Sequence, residues 1–199
     1  LTQSVHSGSE GDKLYKGTVT PIFPSSAYDY EDVPATLYPR YFNTPNQQAV
    51  AEKLASLENA EDGIVFSSGM AAILTSILAM MKNGDHAVFQ SDLYGGTFHA
   101  VINELPRYGM EYTMVDAAIP ENFMKAIRPE TRVIYIETPS NPTLKITDIS
   151  AVSSIAKAHG ITTIIDNTFA SPVNQNPIDL GIDIVTHSGT KYIGGHSDI

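Results

Sequence analysis

The sequence contains no cysteine among its 199 residues. This absence excludes a disulfide framework, a Cys-ligated zinc or iron–sulfur centre and a thiol nucleophile. Positive charge is scarce, with 12 Lys and Arg against 22 Asp and Glu and a formal net charge of −10. Because no Lys/Arg-rich run is present, nucleic acid and anionic membrane surfaces are not expected partners. The sequence also lacks an apolar run of membrane-spanning length and a signal-peptide pattern at its start, so we expect a cytoplasmic protein.

The remaining composition is that of a folded domain, since 42% of the residues are hydrophobic and only 17% are charged. Residues 1–45 are punctuated by glycine and proline, which exclude a long helix there. We therefore predict an extended N-terminal arm over residues 1–45, ordered against another surface. The regular alternation of elements that begins at Asn46 predicts a large domain over residues 46–199.

Strands and helices alternate in the second segment, and the strands are apolar runs that lack a polar face. Such runs predict an α/β fold with a mostly parallel sheet that helices cover on both faces. The predicted strands are 63–67, 86–90, 110–115, 132–138, 161–166 and 183–187. The predicted helices are 47–57, 69–81 (largely buried), 97–105, 121–127 and 148–158.

Polar residues and glycines follow the predicted strands at the point where each one ends. In a parallel sheet these carboxyl ends share one edge, where ligands bind. The pattern therefore predicts a binding site at that edge. The segments concerned are 67–69, 92–96, 137–141, 166–168 and 188–191.

The turn Ser67–Met70 joins a predicted strand to a helix and is a candidate phosphate site. Its glycine admits close backbone approach, and the helix N-terminus offers free N–H groups and a positive dipole. Both the P-loop and the Gly-x-Gly-x-x-Gly dinucleotide fingerprint are missing from the sequence. Taken alone, such a turn is more commonly an ordinary serine-capped helix.

Asp166 and Lys191 are the two charged residues that stand out at the predicted edge. A carboxylate that ends an apolar strand needs a cation or hydrogen bonds, although it could also simply cap the next turn. A lysine displayed there can act as an amine nucleophile, whereas a lone lysine is more commonly a solvated surface residue. Together, a phosphate site, a buried carboxylate and a reactive lysine are what a protein supplies to pyridoxal phosphate, and Tyr94 could stack on its ring.

The segment Ser188–Asp198 (SGTKYIGGHSD) resembles the cofactor-lysine signature of the pyridoxal-phosphate enzymes of cysteine and methionine metabolism, and the resemblance extends back to Val5–Gly8. This family includes cystathionine γ-synthases, cystathionine lyases and methionine γ-lyases. The resemblance implies the large domain of the aspartate-aminotransferase-like fold, fold type I. Because family members are considerably longer, we expect the chain to be part of a longer protein whose C-terminal part is missing here.

The resemblance also implies the roles of the site residues. Lys191 would bind the cofactor covalently, and Asp166 would hold the proton of the pyridine nitrogen. Tyr94 would stack on the ring, and Asn141 would contact the ring hydroxyl. The residues implied to bind the phosphate are Ser188, Thr190, Gly69 and Met70, joined by Tyr38 and Arg40 from the arm of a neighbouring subunit.

The function implied is that of a C–S lyase acting on cystathionine or a related sulfur amino acid, with Lys191 and either Tyr94 or Tyr38 moving protons. γ-Replacement on an O-acylhomoserine, as in a cystathionine γ-synthase, and methionine γ-lyase activity are alternatives, but Gly-Gly after Tyr94 disfavours the latter because those enzymes carry a cysteine there. A truncated, inactive binding module is the non-enzyme alternative, and a nucleotide-binding module ranks last. The expected assembly is a homodimer or homotetramer with shared sites, and the six histidines show no metal-ligand spacing.

Overall fold

The computed structural model describes residues 2–9, 11–33 and 35–196. The chain divides into two compact units, Leu1–Val65 and Phe66–Ile199. Across these described ranges, no helix is both long and apolar enough to cross a lipid bilayer.

The first unit is built on helix α2 (Pro45–Glu58), which contains the predicted helix 47–57. Thr44 precedes the helix with extended backbone, and its N–H donates to the Gln47 side chain at 3.2 Å. Pro45 occupies the first helical position, where its missing N–H is not needed. Asn59 ends the helix in the left-handed conformation, with φ at 57°.

The residues before α2 are mostly irregular, apart from the short helix α1 (Thr2–His6) and a 3-10 turn at Pro39–Tyr41. Side chains of α2 satisfy part of their backbone. The Asn46 amide accepts the N–H of Phe23 and donates to the carbonyl of Pro21, both at 2.8 Å. These contacts order the segment without a sheet or a long helix.

The second unit contains β1 (His86–Gln90), β2 (Glu111–Val115), β3 (Thr131–Glu137), β4 (Thr162–Asp166) and β5 (Ile184–Thr186). They form one sheet in the order β2-β1-β3-β4-β5, and every neighbouring pair is parallel. The predicted α/β fold with a parallel sheet is therefore confirmed. In the register of β3 and β4, Glu137 lies opposite Asp166.

The helices of the second unit are α3 (Gly69–Met80), α4 (Gly95–Asn103), α5 (Glu121–Ala126), α6 (Ile149–His159) and α7 (Ser171–Asn174). Alternate strand side chains enter two hydrophobic cores, which explains the unbroken apolar runs. Each fully buried side chain of this kind contributes about 1.5–3 kcal/mol. One core joins Ala87, Phe89, Val133, Tyr135 and Ile164 to α3 and α4; the other joins Val88, Ile134, Ile136 and Ile165 to α5 and α6.

Two predictions about residues 63–81 were wrong. Residues 63–67 form no strand, and Ile64 is 61% exposed. An apolar run becomes a strand only where a neighbouring strand can bond its N–H and C=O groups. Helix α3 is also not largely buried. Ile73 and Ile77 are its only buried side chains. These two residues are one turn apart and form the stripe that packs on the sheet.

Candidate active site

The parallel strands β1, β3, β4 and β5 end at the same edge of the sheet, as the sequence predicts. Each is followed by one of the polar segments identified in the sequence. Buried side chains bond the backbone where the strands end, and Gln90 is an example. Its amide donates to the Glu137 carbonyl at 2.7 Å and accepts the Glu137 N–H at 2.9 Å. The ends of β1 and β3 are therefore joined beyond the regular ladder.

The N-terminus of α3 lies against Ser188. Ser68 caps the helix by accepting the N–H of Ala71 at 3.1 Å. A Cβ built on Gly69 would lie 2.8 Å from Cβ and 2.9 Å from Cα of Ser188. Only a glycine permits this approach, so the turn is both a capped helix start and a close backbone contact. The Gly69 and Met70 N–H groups at this terminus form a ready anion-binding position beside the Ser188 hydroxyl.

Asp166 ends β4 and is 6% exposed. Its Oδ1 accepts the Thr168 N–H at 2.9 Å, and the Thr168 hydroxyl accepts the Ser188 N–H at 2.8 Å. Burial raises the pKa of Asp166, while the Thr168 hydrogen bonds and the nearby His187 act in the opposite direction. The carboxylate therefore does cap a turn, and Thr168 in that turn joins the ends of β4 and β5 at the site. A cationic ligand group facing it would lower this raised pKa.

Tyr94 and Asn141 lie on the loops that follow β1 and β3, and both bind the same side chain. Glu137 Oε2 accepts the Tyr94 N–H at 2.8 Å, and Oε1 accepts the Asn141 N–H at 2.7 Å. Burial raises the pKa of Glu137 to about 7 against these two hydrogen bonds, and Asp166 raises it as well. Glu137 is not among the site residues predicted from the sequence. The signal was present, because an acidic residue follows an apolar run here as at Asp166.

The Tyr94 ring lies beside the start of α4 and is 45% exposed. A Cβ built on Gly96 would lie 2.6 Å from Cε1 of Tyr94 and 3.0 Å from the sulfur of Met70. The second glycine of the Gly-Gly pair thus lets the aromatic ring and α3 approach each other. Gly69, Met70, Tyr94, Asn141, Asp166 and Ser188 are therefore all brought to one edge of the second unit.

Thr190 and Lys191 lie in the turn after Ser188, and both are exposed. The Lys191 N–H donates to the Ser188 carbonyl at 3.1 Å, which places the lysine backbone next to the anion-binding position at the start of α3. The last residues of the signature, Ser197 and Asp198, lie outside the described residues.

Tyr38 and Arg40 belong to the first unit and lie next to each other. The Arg40 guanidinium carbon is 5.9 Å from the centroid of the Tyr38 ring, a cation–π distance. The Tyr38 N–H donates to the Asn43 side chain at 2.9 Å, and the ring packs edge-on against Tyr41. The pair therefore forms a local cluster before α2.

No group of His, Asp and Glu side chains that could hold a metal ion occurs within residues 2–9, 11–33 and 35–196. The site consists instead of helix N–H groups, hydroxyls, two buried carboxylates and a lysine. Such a set suits an organic anion that also carries a cationic group.

A parallel α/β sheet with these groups along its carboxyl edge defines a ligand-binding protein of the doubly wound class. The chain belongs to the family of Cys/Met metabolism PLP-dependent enzymes, which it matches over residues 1–199. The family confirms the resemblance found in the sequence, and pyridoxal phosphate is the cofactor of its members.

The chain is 42% identical to a probable cystathionine gamma-synthase of Herpetosiphon aurantiacus, over 100% of the chain and 62% of the relative. It is 46% identical to the cystathionine beta-lyase MetC and 44% identical to the cystathionine gamma-lyase of Bacillus subtilis (strain 168), covering 51% and 52% of them. The crystal structures of metB from Corynebacterium glutamicum (41% identity) and of cystathionine gamma-lyase from Lactobacillus plantarum complexed with L-serine (42%) superpose on it with TM-scores of 0.95 and 0.94. All of this chain and 52% of each of those chains are covered. The chain thus spans about half the length of most of these relatives.

Proposed function

We propose that the protein containing this chain is a pyridoxal-phosphate-dependent lyase that cleaves a C–S bond of cystathionine or a related sulfur amino acid. γ-Replacement on an O-acylhomoserine is the alternative within the same chemistry, because relatives of similar identity carry both names. The observation that carries the proposal is the close approach of Gly69 to Ser188, with Asp166 linked to the same turn through Thr168.

The residues present fit the cofactor. A phosphate needs several hydrogen-bond donors and a positive field, which the N–H groups of Gly69 and Met70 and the hydroxyls of Ser188 and Thr190 supply. A protonated pyridine needs a carboxylate, and Asp166 is a buried one. The remaining assignments are Lys191 for covalent attachment, Tyr94 for stacking on the ring and Asn141 for the ring hydroxyl.

The bound cofactor supplies an electron sink for the pair released at the substrate α-carbon. Asp166 keeps that sink effective by holding a proton on the ring nitrogen. The Lys191 amine, once free, removes the α-proton and returns it later in the reaction. Tyr94, or Tyr38 of the partner subunit, donates a proton to the departing sulfur, which leaves as a thiol. Tyr94 is held for this role through its own backbone N–H.

The product spectrum of the complete protein tests the reaction. With cystathionine and water, a γ-lyase releases cysteine, 2-oxobutanoate and ammonia, whereas a β-lyase releases homocysteine, pyruvate and ammonia. A synthase instead joins cysteine to an O-acylhomoserine and releases the carboxylic acid. We expect one of the two lyase patterns, and formation of none of these products would refute the enzyme reading in favour of an inactive binding module.

Covalent attachment at Lys191 is tested by borohydride reduction of the yellow complete protein, followed by peptide mapping. We expect the reduced cofactor on Lys191, with a Lys191→Arg variant as the control that should carry none. An adduct at Lys53, Lys145 or another lysine would contradict the assignment.

We also propose that the protein works in the cytoplasm as a homodimer or homotetramer whose subunits complete each other's sites. The arm exposes large apolar side chains, with Leu14 at 77%, Tyr15 at 82% and Ile22 at 88%. Such side chains favour burial against a second copy, and a two-fold arrangement would bury both arms together. Arg40 of the partner subunit would then bind the phosphate.

Complementation distinguishes a shared site from a self-contained one. Arg40→Ala and Lys191→Ala subunits of the complete protein should each be inactive. A mixed dimer has one site with an intact Lys191 and an intact Arg40 only if the two residues come from different subunits. We expect activity to return on mixing, and proven mixed dimers without activity would show that Arg40 serves its own subunit.

A further inference from the structure

Glu137 connects two loops that are distant in the sequence. The Tyr94 and Asn141 N–H groups each donate to a different oxygen of its carboxylate, at 2.8 and 2.7 Å. Tyr94 lies 43 residues before Glu137 and follows a different strand. A single side chain therefore holds the backbone of both loops.

The carboxylate has little freedom to leave this position. Glu137 is 3% exposed, and its backbone N–H and carbonyl are both bonded to the amide of Gln90. Further out, the ion pair of Lys145 with Asp92, at 2.7 Å, joins the same two loops on the exposed side. The buried Glu137 carboxylate with its two N–H donors and the outer ion pair thus connect the two loops at two depths.

We propose that Glu137 is a positioning residue of the active site, which sets the Tyr94 ring and the Asn141 amide relative to each other by accepting both of their backbone N–H groups. This inference rests on the proposed function, because the roles of Tyr94 and Asn141 come from it. Glu137 itself contacts neither the substrate nor the reacting atoms in this proposal.

The connection requires the ionised form of Glu137. A carboxylate accepts at both oxygens, whereas a protonated carboxyl or a glutamine amide presents a donor to one of the two N–H groups. The two N–H donors favour the ionised form of Glu137. Asp166 on β4 is the charged group that acts on Glu137, and its negative charge favours the protonated form. Because the pKa of Glu137 is raised to about 7, the connection should weaken as the pH falls through this value.

The test compares Glu137→Gln with Asp183→Asn in the complete protein. Asp183 is the control for a carboxylate-to-amide change away from the site, since it is exposed and accepts the Thr163 N–H at 2.8 Å at the opposite edge of the sheet. The first measurement is hydrogen exchange of individual amides without added cofactor. We expect exchange at Tyr94 or Asn141 to rise about tenfold or more in Glu137→Gln, the effect of losing a charged acceptor. Asp183→Asn should change Thr163 alone.

The second measurement is the affinity and visible circular dichroism of added pyridoxal phosphate. We expect Glu137→Gln to weaken binding about tenfold and to change the dichroism, with Asp183→Asn unchanged. Faster exchange with unaltered cofactor signals would overturn the positioning role, and so would equal effects of the two variants. A wild-type protein that binds no pyridoxal phosphate would refute the proposed function, whereas the exchange result would still decide whether Glu137 holds the loops.

Wild-type protein provides an independent test if Glu137→Gln fails to fold. After correction for intrinsic exchange, protection of the Tyr94 and Asn141 amides should decrease between pH 8 and pH 6. Protection that is constant over this range would overturn the proposal.

Discussion

The contact between Gly69 and Ser188 leads to a quantitative prediction for Gly69→Ala. The new methyl group would lie 2.8 Å from Cβ, 2.9 Å from Cα and 3.0 Å from the hydroxyl oxygen of Ser188. Two of these atoms belong to the backbone or sit directly on it, so rotation of a side chain cannot relieve the overlap. The start of α3 or the turn after β5 must therefore move.

The strain of inserting one methyl group into a packed contact is about 1–3 kcal/mol. Replacing glycine by alanine in a helix offsets this by about 0.5–1 kcal/mol. We therefore expect Gly69→Ala to lower the free energy of unfolding by about 1–2 kcal/mol. Gly95→Ala is the matched control, because Gly95 is likewise the first residue of a helix and a Cβ there meets nothing within 4 Å. It should leave stability unchanged or raise it.

Urea unfolding of the two variants without cofactor measures this difference, and titration with pyridoxal phosphate measures its effect on the site. Because the methyl group displaces the N–H groups of the α3 terminus, Gly69→Ala should also bind the cofactor more weakly than Gly95→Ala. If the two variants unfold at the same urea concentration and bind the cofactor equally, the close contact does not exist as described and the phosphate position inferred from it is wrong.

Asp166→Asn should retain the fold and bind cofactor more weakly, while turnover falls by orders of magnitude because an amide cannot hold the ring proton; near-native kcat would remove Asp166 from its role. The folded-state pKa of Glu137, about 7, exceeds its ordinary value of 4.5, so its contribution to stability is full below pH 4.5 and is lost as the pH rises through 7. Relative to Glu137→Gln, the free energy of unfolding of the wild-type protein should decrease by up to about 3 kcal/mol over that range. Parallel plots of this free energy against pH for the two proteins would contradict the prediction. Burial, helped by Arg128, lowers the pKa of His86, whose ring bonds Thr131 and Thr113. Relative to His86→Gln, the wild-type protein should therefore lose stability as the pH drops below 6.5, which urea titrations of both proteins at several pH values would measure.

The apolar runs of the sequence were sufficient to predict all five strands of the sheet, because a strand buried on both faces can tolerate few polar residues. The run at 63–67 has the same composition but forms no strand. Composition does not show whether a neighbouring strand edge is available. Helix α4 begins two residues before the predicted start at Thr97, since Gly95 and Gly96 take helical conformation despite their low propensity.

The site could be located from the sequence because topology alone collects the strand ends at one edge. What the sequence could not show is how the loops are joined. Glu137 receives its two N–H groups from residues 43 positions before it and four after it. Thr168 relays between Asp166 and Ser188 across two strand ends. Such links depend on the spacing of loops in three dimensions, which residue patterns along the chain do not record.

The strand order also fixes where the winding of the sheet reverses. From β1 the chain winds outward to β2, then returns past β1 and winds in the opposite direction through β3, β4 and β5. The reversal therefore falls between β1 and β3, and parallel sheets bind their ligands outside the carboxyl ends of the strands at such a point. Here the two strand ends are those of Gln90 and Glu137, which are hydrogen-bonded to each other. Substitutions in the loops around this point can change which ligand the site accepts, whereas its location would move only if the winding of the chain changed.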